Sequence, residues 1–340
     1  MALIHFLNVL EGDCNIIQHD SGRISVIDVS SAYNDKDTEA EKVVKASKER
    51  AEMSKRTHVP SDKVDYKQKE NPDNPIDYLK SNIGTSNIFC FIITHPDMDH
   101  LDGIQDLYSE FNITNTWDTD NNKTIDLNSN FAGYNKEDWQ FYIQLRSGKF
   151  TRTNRLTYYD YHDCKYWNED QIKILCPTKD LVKQANKTSG DYHDVSYVLI
   201  FTPPKKGGGK WKFVFAGDSH DNSWKHIIKK YKDEVSNIDV LFAPHHGRDS
   251  NRDYEFLKIL KPKVTLFGNA DSNHLAYTSY PKLRITNNQA GYIIIKVTED
   301  AIIFAVKNQI FARAFKKKRG WNEPDYDSVL KAYTIFQFNA

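Results

Sequence analysis

The 340-residue chain lacks any apolar stretch near the roughly 20 residues a membrane-spanning helix needs, so no helical membrane span is expected. Cysteine is scarce. Cys14, Cys90, Cys164 and Cys176 are scattered without a C-x-x-C pair, which fits neither a disulfide framework nor a structural zinc knuckle. Net charge is also missing, since 46 Lys and Arg balance 46 Asp and Glu. No global field therefore draws the protein to nucleic acid, and any such binding rests on a local patch. Met1 to Leu10 show neither a basic leader nor a small-residue cleavage site, so the cytoplasm is the expected compartment. What is present, 39% hydrophobic and 13% aromatic residues, suffices for a large core in one big domain or two small ones.

β-Branched runs near the amino terminus, at 3–10, 14–18 and Arg23 to Val29, read as short strands. A lysine- and glutamate-rich insertion follows at about 35–85, with a charged helix over Thr38 to Arg56. Ile88 to Thr94 is a continuous apolar run, the mark of a strand buried on both faces of a layered α/β fold. From about 105 to 165 a second insertion, rich in Asn, Asp, Tyr and Trp, reads as loops and short elements over one edge of the site. Strands are expected at 171–175, 196–201, 211–215, 240–243, 264–267, 292–297 and 301–306, with helices over Ser223–Tyr231 and Asp253–Leu260. Pro203 to Lys210 is a turn between two strands. A basic, aromatic tail at 316–340 either docks on the body or binds nucleic acid, and Trp139, Trp167 and Trp211 read first as core residues, with a stacking track for single strands as the lesser alternative.

The chemistry concentrates where strands end. Thr94-His95-Pro96-Asp97-Met98-Asp99-His100 sets two imidazoles and two carboxylates in one loop directly after the buried run. A helix cap explains one carboxylate but neither histidine, whereas divalent cations would use all four as deprotonated ligands. A second strand runs into Gly217-Asp218-Ser219-His220, and a third into Pro244-His245-His246-Gly247-Arg248. Neighbouring strand ends in an α/β sandwich converge on one edge, so the three loops form one coherent pattern.

Together these motifs resemble the metallo-β-lactamase superfamily, and within it the soluble hydrolase domain of ComEC-type DNA-uptake proteins. The resemblance rests on Asn8-Val9-Leu10-Glu11-Gly12-Asp13, Val26-Ile27-Asp28, Thr94 to His100, His193-Asp194-Val195-Ser196-Tyr197-Val198-Leu199, Gly217-Asp218 and Pro244 to Gly247. It implies an α/β, four-layer αββα sandwich over residues 1–315 and a site for two divalent cations, Zn²⁺ or Mn²⁺. His95, Asp97 and His193 would serve one cation. Asp99, His100 and one of His245 or His246 would serve the other, with Asp218 between them and the choice of histidine left open. Asp28, Asp194 and Ser196 would orient ligands. Asp97 stands where the wider superfamily has a histidine, Asp102-Gly103 replaces Gly-Gly, and Arg248 replaces a serine; that arginine either contacts substrate phosphate or sits at the surface. Asn273-His274 and Tyr280-Pro281 stand for the family's Asn and His-Pro, which would let His274 or Tyr280 face the substrate.

The candidate catalytic groups are therefore Asp99 as proton acceptor, Asp218 and His274. The resemblance implies a soluble metal-dependent phosphodiesterase or nuclease, DNA favoured, without a membrane part and with an unidentified protein partner open. The alternatives are a hydrolase of small phosphodiesters or other esters, a β-lactamase more remotely, and a non-catalytic metal-containing interaction protein of a bacterial system, antiphage defence included.

Overall fold

The computed structural model describes residues 1–9, 11–31, 66–128, 133–188, 191–269 and 275–340. Strands β1 (Ala2–Phe6), β2 (Asn15–Gln18) and β3 (Ile24–Ile27) form an antiparallel meander. β4 (Asn87–Ile92), β5 (Asn112–Trp117) and β6 (Asn154–Leu156) then extend it as a parallel run. The chain crosses to a second sheet through β7 (Ile172–Cys176), β8 (Val198–Phe201), β9 (Phe213–Phe215), β10 (Val240–Phe242), β11 (Val264–Phe267) and β12 (Arg284–Thr286). Strands β9 to β12 are parallel to one another. It returns to the first sheet through β13 (Ile293–Val297), β14 (Ala301–Val306), β15 (Tyr326–Asp327) and β16 (Ala332–Asn339). The result is a ten-stranded and a six-stranded sheet, with β13 pairing antiparallel to β1.

Alternation of side chains along each strand builds the layers. Between the sheets, Ile4, Phe6, Ile27 and Ile92 of the first meet Leu199, Phe213, Phe215 and Phe242 of the second. The Phe6 ring stands edge-on to Phe242 with centroids 5.3 Å apart. On the outer face of the first sheet, Val26, Phe91 and Ile113 pack beneath α1 (Pro75–Tyr78), α2 (Ile104–Glu110) and α3 (Lys136–Arg146). Further along come α4 (Lys165–Asp170) and α5 (Lys179–Thr188). On the outer face of the second sheet, Ile200, Val214 and Leu241 pack beneath α6 (Asp221–Val235) and α7 (Phe256–Leu260). The final helix, α8 (Gln309–Lys317), contributes Phe311 and Phe315 to the core between the sheets. This is the expected four-layer αββα sandwich.

Caps start the helices where the sequence supplies them. Asn74 Oδ1 accepts from the backbone N–H of Ile76 and Asp77 ahead of α1, and Asn135 Oδ1 accepts from Glu137 ahead of α3. α6 takes its cap from a distance, since Asp194 Oδ1 accepts from the N–H of Asn222 and Ser223. That contact corrects the expectation that Asp194 orients ligands.

One other expectation changes, and two open readings are decided. The insertion at about 105–165, read as loops and short elements, carries α2, β5, α3 and β6, and its strands extend the first sheet. The segment from Lys316 folds into the body, with β16 paired along β14 and Arg319 stacked on Phe315 at 3.6 Å. Trp139, Trp167 and Trp211 are all buried core residues, so none is a stacking platform. The helix expected over Thr38 to Arg56 lies outside the described residues. Among the described residues no helix is long and apolar enough to cross a membrane.

Candidate metal centre

Because β3 and β4 run parallel, and β9 and β10 likewise, their carboxyl ends can deliver the loops that follow them to one edge of the sandwich. Asp28 follows β3, the Thr94–His100 loop follows β4, Gly217-Asp218 follows β9, and Pro244 to Gly247 follows β10. Close approach of these loops demands small residues. A Cβ on Gly12 would lie 1.7 Å from the Asp99 carbonyl oxygen, and one on Gly217 would lie 2.9 Å from Thr94 Cβ, while both glycines have positive φ.

The donor atoms fall into two groups that share one carboxylate. Asp99, His100, Asp218 and His246 form the first, and His95, His193 and Asp218 the second, each with ligand atoms within 4.8 Å of one another. Asp97 stands beside the second group, 3.8 Å from both His95 Nε2 and His193 Nε2. His245 Nε2 lies 3.5 Å from Asp218 Oδ2, on the same side. Both residues of the histidine pair thus face the cluster. His245, His246 and Gly247 have φ of 52°, 55° and 82°, three consecutive left-handed residues, and this turn aims the two rings at different groups.

Every one of the five imidazoles presents Nε2 to the cluster and ties Nδ1 to an oxygen outside it. His100 Nδ1 meets Asp28 Oδ2 at 2.8 Å, His246 Nδ1 meets Asp13 Oδ1 at 3.1 Å, and His193 Nδ1 meets Asp191 Oδ1 at 2.8 Å. His95 Nδ1 meets Thr94 Oγ1 at 3.2 Å, and His245 Nδ1 meets Ser250 Oγ at 2.9 Å. An Nδ1–H given outward leaves the Nε2 lone pair free to bind a cation, which is the arrangement metal-binding histidines use. Asp28 also accepts from Thr94 N–H and Thr94 Oγ1, both at 2.7 Å, so one buried carboxylate fixes two of the five rings.

The electrostatics fit the same purpose. His95 Nε2, His100 Nε2 and Asp218 Oδ1 are buried and make no hydrogen bond, a costly state that a cation between them would relieve. Burial, aided by His100, pushes His95 down to about 3, and burial pushes His245 down to about 4. For His100 and His246 burial also opposes the charge, but Asp218 with Asp99 and Asp28, and Asp218 with Asp13, override it and hold both well above the ordinary histidine value. Burial works against ionisation of Asp218 and Asp99 as well, yet the surrounding imidazoles keep both below the usual carboxylate range. Without a cation the cluster balances its carboxylates with protons on imidazole, and a divalent ion would displace those protons.

Of the remaining candidates, His274 and Asn273 lie outside the described residues. Tyr280 does not face the site: it is buried against Phe267 and Tyr254 beneath the second sheet. Ser196 is buried with its hydroxyl unpartnered and touches no ligand histidine through a hydrogen bond. Arg248 is half-buried and forms a bridge with Leu275. Three contributors escaped the motif reading, namely Asp191, Ser250 and Lys123. The sequence signal for the first two was their nearness to His193 and His245; Lys123 had none, because it reaches Asp97 from a segment rich in Asn and Asp.

No family model matches this chain, and no curated protein matches it by sequence. Among solved structures, a metallo hydrolase from the hyperthermophilic archaeon Ignicoccus hospitalis is 12% identical, with a TM-score of 0.43 over 87% of this chain and 100% of that one. A diphosphatase of the PhnP family is 8% identical, with a TM-score of 0.37 over 86% of this chain and 97% of that one. A long-form RNase Z from yeast is 9% identical, with a TM-score of 0.37 over 86% of this chain and 41% of that one. Each is a loose likeness of chain path and has no bearing on what this chain does.

Proposed function

We propose that this protein is a metal-dependent hydrolase of the metallo-β-lactamase type, cleaving phosphodiesters with DNA as the favoured substrate. The observation that carries the reading is the Asp218 carboxylate shared by two donor groups whose imidazoles all turn Nε2 inward. His95, Asp97 and His193 are assigned to one divalent cation, Asp99, His100 and His246 to the other, and Asp218 to both. His245 stands over the first of these as a further donor. Two such cations supply an acidified water and a clamp on the entering and leaving oxygens of an in-line displacement at phosphorus.

The chain's own residues set the geometry for that chemistry. Asp28 and Asp13 hold His100 and His246 in one tautomer inside the sandwich, and Asp191 does so for His193 at the rim. Asp99, whose side chain is about a quarter exposed, is the group placed to accept the proton of the attacking water. An oxygen donor at Asp97, where an imidazole would be softer, suits Mn²⁺ as well as Zn²⁺. The ComEC-like order of motifs supports DNA over small diesters.

The test is cleavage of single-stranded DNA, duplex DNA, RNA and bis-p-nitrophenyl phosphate by purified protein loaded with Mn²⁺ or Zn²⁺, beside His100→Ala. Polymer cleavage that disappears in the variant supports the reading. Turnover of the small diester alone would replace the nuclease assignment with a small-molecule phosphodiesterase, and no turnover with two bound cations would overturn the enzyme.

A further inference from the structure

The connection between β5 and α3, of which residues 118–128 and 133–135 are described, reaches the donor cluster with a cation. Lys123 Nζ lies 2.5 Å from Asp97 Oδ1, and among the described residues no other Lys or Arg is paired with a carboxylate of the cluster. The side chain is about a fifth exposed, so it borders the cluster and solvent together. Its backbone is held on both sides. Asn121 Oδ1 accepts from Lys123 N–H at 3.2 Å, and Arg146 Nη1 donates to both the Lys123 carbonyl and Asn121 Oδ1 at 2.8 Å. The next-door Asn122 accepts from the Tyr192 hydroxyl at 2.7 Å and donates through its N–H to Asn186 Oδ1 at 2.9 Å. The Tyr192 ring lies 5.9 Å from the ammonium. Five polar contacts on three residues are far more anchoring than a surface lysine needs for solubility.

The same connection returns to the cluster at its other end. Tyr134 donates its hydroxyl to Glu11 Oε2 at 2.8 Å, on the strand-turn that Gly12 presses against Asp99. One segment therefore borders both donor groups, with an ammonium beside Asp97 at one end and a phenol near Asp99 at the other.

We infer that Lys123 is a substrate-binding residue that takes a non-bridging oxygen of the phosphodiester at the Asp97 side of the site. The inference rests on the hydrolase reading above. When Asp97 gives its charge to a cation, the ammonium beside it loses its partner, and it is then held, with its backbone fixed, at the mouth of a site that receives an anion. An ammonium in that position attracts any phosphate diester as a point charge and needs no base or sugar contact. It also explains why the loop after β5 carries so many backbone contacts at this one point.

The test measures binding of dimethyl phosphate, a diester probe, to the full chain loaded with Zn²⁺ or Mn²⁺, by titration calorimetry, with bound metal counted in the same samples. Lys123→Met is expected to keep the wild-type metal content and weaken dimethyl phosphate about 10- to 100-fold, and Lys123→Arg to recover part of the loss. Metal content that falls in Lys123→Met would overturn the inference, because the lysine would then serve to place Asp97. An unchanged affinity, or no binding of the probe to wild-type protein, would overturn it as well. Since the readout is binding, wild-type protein that binds the diester through Lys123 but turns over no substrate would sink the hydrolase reading and leave this one standing.

Discussion

The two halves of the donor cluster are built from the same residue types and differ in what stands behind them. Behind His100 and His246 are Asp28 and Asp13, carboxylates almost wholly enclosed by the sandwich. Behind His193 is Asp191, about two-thirds exposed, while Asp97 is about a quarter exposed and already engaged by Lys123. A charge contact works in low dielectric at the first and against water and screening salt at the second. The inner half is therefore preorganised by the core, and the outer half is adjustable and open to exchange. Two cations bound here should differ in affinity, the inner one tighter.

The sharpest way to break the comparison is Asp218→Ala, since among the described residues this is the carboxylate that both donor groups share. Diester turnover should drop by about a thousandfold or more, and bound metal should fall below two per chain on elemental analysis. A variant that keeps both cations would show the halves to be independent.

Acid provides a control away from the site. His5 on β1 is buried between Tyr78 and Gln18, and burial pushes it down to about 4. An unfolded histidine takes its proton near pH 6.5, so this group's contribution is complete above 6.5 and is lost as pH falls from there to about 4. The loss amounts to about 3 kcal/mol at most. Denaturant midpoints of metal-free protein should fall over that window, and less steeply in His5→Phe, where His95 and His245 still contribute. With this background known, acid release of metal can be assigned to the cluster rather than to unfolding.

Removing the backing groups one at a time then compares the halves directly. Asp13→Asn should weaken the tighter cation about 10- to 100-fold in competition with a chelator, because Asp13 backs His246 alone, whereas Asp28 also fixes His95 of the outer half through Thr94. Asp191→Asn should weaken the looser cation less than about 10-fold, with high salt narrowing the difference from wild type. Equal losses from the two would contradict an inner and an outer half.

How far the sequence reveals this arrangement follows from the same physics. His95, Asp99, His100 and Asp218 are legible because they sit directly after apolar strands, where local pattern and position coincide. Asp28 is legible for the same reason. The choice between His245 and His246 is not, since it depends on three successive left-handed residues that no side-chain pattern announces. Asp13 pairs with His246 across more than 230 residues, and Lys123 arrives from a segment whose polarity reads as loop. β5, with Asn112, Thr114 and Asn115, hides as a strand because it lies near the edge of its sheet and needs few apolar residues. Asp194 misled because a carboxylate near a ligand histidine is equally suited to start the next helix, and here α6 takes it.

The pairing of β1 with β13 sets a condition on synthesis. Phe6 lies opposite Ile293 and Ala2 opposite Val297, so one side of β1 has no neighbour until nearly 300 further residues have been made. At about 5–20 residues per second the ribosome takes on the order of 15 to 60 seconds to reach that point. Throughout that interval the nascent chain carries an open, apolar strand edge that can pair with another chain. A transcript cut short before β13 would yield a polypeptide with most of its ligand loops and no finished sheet to hold them.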